Sequence, residues 1–90
     1  MSYNADFMPR NKHDFVKVNQ IKKLSRNEQL LLLPGLLEWI QDMNWPIAKE
    51  VAEFLLTFPN EIVSLIQDVL ATNDNEWKYW CLEILVKIVK

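Results

Sequence analysis

Apolar residues recur at helical spacing along most of this chain, and short polar turns divide the pattern into segments. The clearest run is Ile47, Val51, Phe54, Leu55 and Phe58, at i, i+4, i+7, i+8 and i+11, with Lys49, Glu50 and Glu53 on the opposite, wet face. That spacing predicts an amphipathic α-helix. Ile62, Val63, Leu65, Ile66, Val69 and Leu70 predict a second helix. Leu33, Leu36, Leu37 and Ile40 form a third stripe, and Phe15, Val18, Ile21 and Leu24 give a weaker apolar face to a first helix over 11–24. Residues 1–10 show no period and include Pro9, so they read as an extended arm.

The breaks carry their own signals. Asn11 suits the N-cap of the first helix, with Asp14 on the free amides of its first turn, and Lys22 and Lys23 suit the negative end of its dipole. Ser25 followed by Glu28 fits a capping box, in which the serine hydroxyl and the glutamate carboxylate satisfy each other's free N–H groups. Pro34 has no N–H to give to a helix interior. It predicts a short helix to about Leu32, a break, and a new helix with Pro34 in its first turn; a kinked continuous helix is the alternative. At Asp42-Met43-Asn44-Trp45-Pro46, Asn44 or Trp45 is the expected cap and Pro46 sits where a missing N–H costs nothing. Pro59 is expected to end that helix and Asn60 to cap its successor. Asn73 to Asn75 stop the next, and the last helix is expected from Glu76 to the C-terminus.

Shifting the chain by 30 residues superposes the two helical pairs. Leu33 falls on Val63, Leu36 on Ile66, Trp39 on Val69 and Ile40 on Leu70; Ile47 falls on Trp77, Val51 on Cys81, Phe54 on Ile84, Leu55 on Leu85 and Phe58 on Ile88. The polar turn matches too, Asn44 on Asp74. A unit of two helices repeated at this spacing is the mark of a helical solenoid, in which each repeat buries its face on the next. The expected fold is all-α: one domain over 1–90, with a first helix, a repeat over 25–58 and a second over 60–90.

Pro34-Gly35-Leu36-Leu37-Glu38-Trp39-Ile40-Gln41-Asp42-Met43-Asn44-Trp45-Pro46-Ile47-Ala48, followed by Asp74-Asn75-Glu76-Trp77-Lys78-Tyr79-Trp80, resembles the signature of a family of uncharacterised bacterial proteins, a domain of unknown function. Asn11-Lys12-His13-Asp14 is similar to its N-terminal motif. The resemblance covers roughly residues 9–85 and is specific in its tryptophans. It implies HEAT-like helical hairpins, hence a HEAT-like α-solenoid, and no established activity. It also implies members that continue beyond the last residue of this chain.

Composition narrows the function classes. Ten basic and twelve acidic residues leave a formal charge of −2, too balanced for a protein that binds nucleic acid by neutralising phosphates. The longest apolar run, Leu30 to Leu37, is interrupted by Pro34 and Gly35 and falls far short of the roughly 20 residues a spanning helix needs, so no membrane role is expected. No secretory signal is visible, and the single cysteine, Cys81, allows no internal disulfide. The expected location is cytoplasmic. No catalytic, cofactor or metal constellation appears: His13 stands alone and reads as a polar residue at a helix start. Cys81 lies on an apolar stripe without a neighbouring cation, as a buried inert thiol would. Asp42, Asp74 and Glu76 could suggest a cation site, but carboxylates at helix starts cap free amides.

The four tryptophans, Trp39, Trp45, Trp77 and Trp80, are expected with Tyr79 to gather at one end of the hairpins. Trp39 and Trp77 read as core, whereas Trp45 and Tyr79 could be partly exposed anchors for a partner. The last helix carries the sharpest expectation. Its main stripe is Trp77, Trp80, Cys81, Ile84, Leu85 and Ile88, while Tyr79, Leu82, Val86 and Val89 form a second stripe on nearly the opposite side. A helix apolar on two sides needs neighbours on two sides, and a solenoid needs a polar terminal repeat that this sequence does not show. Tyr79, Leu82, Val86, Val89 and Trp45 are therefore the candidate interaction surface, for a second protomer in a homodimer, for another protein, or for a segment outside this chain. The first helix folding back over the stripe is the competing arrangement.

The expected role is a non-enzymatic protein–protein interaction module, for instance a bacterial immunity or regulatory protein. The rivals are a nucleic-acid-binding or base-processing enzyme on a helical-repeat scaffold and an obligate homodimer with a role in assembly. The first rival needs a basic concave face, and Lys49, Lys78 and Lys87 are scattered among Glu50, Glu53 and Glu83.

Overall fold

The computed structural model describes residues 8–89, apart from the side chain of Val89. Every regular element among them is helical: α1 (Phe15–Lys22), α2 (Arg26–Leu37), a 3₁₀ turn (Glu38–Ile40), α3 (Ala48–Leu55), α4 (Pro59–Leu70) and α5 (Asn75–Val89). The all-α expectation is met. α2 packs on α3 and α4 on α5; α2 and α4 pack side by side and join the two pairs. α1 leans on α3, and the 3₁₀ turn lies against both α3 and α5. The principal extents are 29 × 26 × 24 Å, so two pairs and one extra helix make a body nearly as thick as it is long.

Local chemistry moves several boundaries from their expected places. α1 begins at Phe15, not Asn11. Asp14 is its N-cap, accepting from the Lys17 N–H at 3.2 Å, while Asn11 closes the preceding turn by accepting from the His13 N–H. Asp14 also accepts from the backbone N–H and Nε of Arg10, at 3.0 and 3.1 Å, and so holds the incoming chain as well as the helix. The described end of the expected arm is tied down: Pro9 is buried and Met8 half-buried. Residues 1–7 lie outside the described part.

The Ser25 capping box forms as expected, with Ser25 as the cap of α2. The break expected near Leu32 does not occur. α2 runs on through Pro34, whose exposed ring faces solvent, and yields to the 3₁₀ turn only after Leu37. One missing backbone bond is offset by four buried leucines, Leu32, Leu33, Leu36 and Leu37, which need a continuous helix to share one face.

α3 starts at Ala48 with Ile47 at the cap position and no side-chain cap, so neither Asn44 nor Trp45 fills that role. Asp42 Oδ1 instead accepts from the Asn44 N–H, and the Ile47 N–H donates to the Lys12 carbonyl at 3.1 Å. Pro59 is the first residue of α4 rather than the end of α3, and Asn60 lies inside the helix. Proline at the first helical position loses nothing, because that N–H has no helical acceptor. At α5, Asp74 caps through a 3.0 Å bond from the Trp77 N–H, and the helix begins at Asn75.

The core follows the stripes read from the sequence. Leu33, Leu36, Leu37, Ile40, Ile47, Val51, Phe54, Leu55, Phe58, Ile62, Ile66, Val69, Cys81 and Ile84 are all buried. Phe15 departs from expectation: it stays 38% exposed, and only Val18 and Ile21 of α1 are buried in the core. Two clamps fix the helix ends. The Gln29 amide donates to the Ile21 and Lys22 carbonyls, covering the end of α1. The Arg26 guanidinium lies 4.0 Å over the Phe58 ring and donates to the Thr57 carbonyl beyond the end of α3.

Candidate functional site

α5 turns two surfaces away from the core, and they meet along one edge. Cys81 and Ile84 are buried beneath it, with Trp77, Trp80, Leu85 and Ile88 half-buried around them. On the outer side, Tyr79, Leu82 and Val86 stand 53%, 46% and 47% exposed. Their spacing, i, i+3 and i+7, places them in one stripe. The backbone of Val89 continues the same helix; its side chain, also expected in the stripe, lies outside the described part. α1 packs on α3 and leaves these side chains uncovered, so the fold-back arrangement is not the one found.

Beside the stripe, a groove of about 280 Å³ opens between α3 and α5. Ala52 of α3 and Leu56 just after it, Ile84, Tyr79 and Trp80 of α5, and Met43 from the loop before α3 give it apolar walls. Lys49 and Glu53 on α3 and Glu83 and Lys87 on α5 stand among them, one cation and one anion from each helix. None of the four forms an ion pair among the described residues, whose inter-helix salt bridge is the Lys22–Glu50 pair at 3.1 Å between α1 and α3. α2 and α4 are in contact, whereas the groove separates α3 from α5. Tyr79 belongs to both surfaces: it lines the groove and its ring meets Trp80 edge-on at 4.8 Å.

Trp80 carries an unusual feature. Its indole N–H is buried and has no acceptor among the described residues. Buried donors are nearly always paired, and leaving one unpaired costs about 1–3 kcal/mol. Trp77 shows the ordinary solution: its indole N–H donates to the Leu37 carbonyl at 3.0 Å.

The tryptophans do not form the single cluster expected. Trp39 and Trp45 pair edge-on at 5.5 Å. They line a separate open cleft of about 350 Å³ with Met8, Pro9, Gly35, Glu38 and Gln41. Met8 fits there because residue 35 has no side chain; a Cβ on Gly35 would lie 2.9 Å from the Met8 sulfur. Trp45 is half-buried in this cleft, so the structure does not bring it to the α5 stripe. Trp39 and Trp77 pack against the core as expected.

Cys81 is fully buried, and burial pushes its thiol up to about 11. His13 is exposed at the turn before α1. No group of three or more His, Cys, Asp or Glu side chains among the described residues could hold a metal ion. Asp74 caps α5 and Asp42 its own turn, which accounts for both carboxylates. Asp14 is held below the ordinary carboxylate range, chiefly by the Arg10 backbone N–H; burial opposes this, and the Arg10 side chain and the Lys17 N–H reinforce it. No helix among the described residues is long and apolar enough to cross a membrane.

Sequence reasoning found the α5 stripe but missed the groove. The signal was present in part: Lys49, Ala52, Glu53 and Leu56 share a helical face beside the core stripe of α3, as Trp80, Glu83, Ile84 and Lys87 do on α5. The gap between those faces has no local signature. No curated protein matches the chain. A family model does, over residues 7–90, and it is described as a domain of unknown function (DUF5071).

Proposed function

The chain belongs to this family, DUF5071, and we propose that it is a non-enzymatic protein–protein interaction module whose binding face is α5 and the groove beside it. One observation carries this reading: three large apolar side chains, Tyr79, Leu82 and Val86, remain about half exposed in one stripe of an otherwise well-packed helix. Single exposed apolar residues are ordinary; a row of them bordering an apolar groove marks a site of association. A groove of about 280 Å³ is smaller than most small-molecule sites, at roughly 300–1,000 Å³, and suits one or two anchoring side chains of a protein. The mixture of charges around it suits neither nucleic acid nor an anionic membrane.

In this reading the pairs α2–α3 and α4–α5 are two repeats of a HEAT-like solenoid, and α5 is the surface on which the stack meets its partner in the cytoplasm. A regulatory or immunity role belongs to the same proposal. Affinity capture from the native host, followed by mass spectrometry, tests it. Wild-type chain and the Tyr79→Ala and Leu82→Glu variants serve as baits, each first shown by circular dichroism to be folded. A protein, or the chain itself, retained by wild type and lost from both variants supports the module. Retention unaffected by both changes, or binding of duplex DNA that weakens steeply with salt, overturns it.

A further inference from the structure

We propose that the partner of this face is a second copy of the same chain, docked about a two-fold axis so that the stripe of each α5 enters the α3–α5 groove of the other. The inference rests on the interaction-module reading and names its partner. A two-fold interface sets one patch against itself, so the patch must carry both halves of every contact. This one does. It holds the anchors, Tyr79, Leu82 and Val86, and directly beside them a groove with apolar walls that takes one or two such side chains.

Its charges are self-complementary as well. A partner of one net sign would be met by a patch of the opposite sign. Here α3 offers Lys49 and Glu53 and α5 offers Glu83 and Lys87, two of each sign, and all four are unpaired among the described residues. Each cation of one copy can meet an anion of the other, and no charge is left over.

Trp80 supplies a third observation. Its ring stands in the wall of the same groove. A second copy seated there covers that ring and adds its area to the buried apolar surface, as tryptophan does at the centre of interfaces.

The test uses the full chain at several concentrations. Sedimentation equilibrium from the millimolar to the micromolar range is expected to show a dimer that dissociates on dilution. Leu82→Glu is expected to raise the dimer Kd by about tenfold or more, since it puts two like charges at the centre of the interface. Val16→Glu, at an exposed position on α1, is the control and is expected to leave the Kd unchanged. Indole resonances give a second readout: the Trp80 N–H signal is expected to move on dilution, while that of Trp77, already bonded to Leu37, stays in place.

A dimer that survives Leu82→Glu, or a Trp80 signal that does not respond, overturns the inference. A chain that is monomeric throughout but captures a host protein through Leu82 also overturns it and leaves the module reading standing. A monomer that captures nothing overturns both.

Discussion

The indole N–H of Trp77 on α5 donates to the carbonyl of Leu37, the last residue of α2, across 3.0 Å. The two residues are 40 apart in sequence. The final carbonyls of a helix lack partners within it, and this one is met by the helix that closes the second pair. The bond ties the two pairs together at the point where α2 gives way to the 3₁₀ turn. Trp77→Phe removes it. Trp80→Phe removes a donor that has no acceptor among the described residues. In urea melts at dilutions where the chain is monomeric, Trp77→Phe is expected to be the more destabilising by about 1–2 kcal/mol. Equal losses would show that the bond contributes nothing.

Phe58 is fully buried at the junction of α3 and α4. Phe58→Ala is expected to cost about 3–5 kcal/mol, a large part of the roughly 5–15 kcal/mol that holds a small domain folded. Arg26→Ala removes the cation over that ring and the bond to Thr57, both at the surface, and is expected to cost about 1 kcal/mol. Thermal melts separate the two, at about 4–8 °C per kcal/mol for a chain of this size.

Asp14 makes stability depend on acid. Its carboxyl is held below its ordinary value in the folded state, so the charged form favours folding. The contribution is present above the unfolded pKa, about 3.9, and is lost as pH falls further through the depressed folded value. Asp14→Asn keeps a hydrogen-bond acceptor but removes the charge. The variant is expected to be less stable than wild type at pH 7 and to approach it at the acid end of the titration, as followed by denaturant midpoints. Parallel curves would mean that the charge is without effect.

Cys81 is expected to resist alkylation. With a thiol at about 11, buried in the core, the folded protein at pH 8 should react with iodoacetamide at least about a hundredfold more slowly than the unfolded chain. The thiolate favours the unfolded state, so this group's contribution is intact below the unfolded pKa of about 8.5 and declines as pH rises towards 11. Rapid labelling of the native protein at pH 8 would contradict both statements.

Much of this fold is legible in single side chains and their near neighbours. Ile47, Val51, Phe54, Leu55 and Phe58 announce a helix and its buried face, and all five are buried. Ser25 and Glu28 announce a helix start and make it. The outward stripe of α5 is equally readable, since Tyr79, Leu82 and Val86 share a face by spacing alone. Where local signals compete, the reading slips. Asn11 and Asp14 both suit a cap, and Arg10 decides for Asp14 by bonding to it. Pro34 signals a break that the buried face of α2 overrides.

The helices, most of their buried faces and the apolar surplus on α5 are written in the order of the residues, because periodicity and capping act within one or two turns of backbone. Packing alone settles that Trp39 joins Trp45, that Trp77 reaches Leu37, that Trp80 has no acceptor among the described residues, and that a groove separates α3 from α5. Those facts depend on distances between segments far apart in the chain, and such distances are set by how all the side chains pack at once.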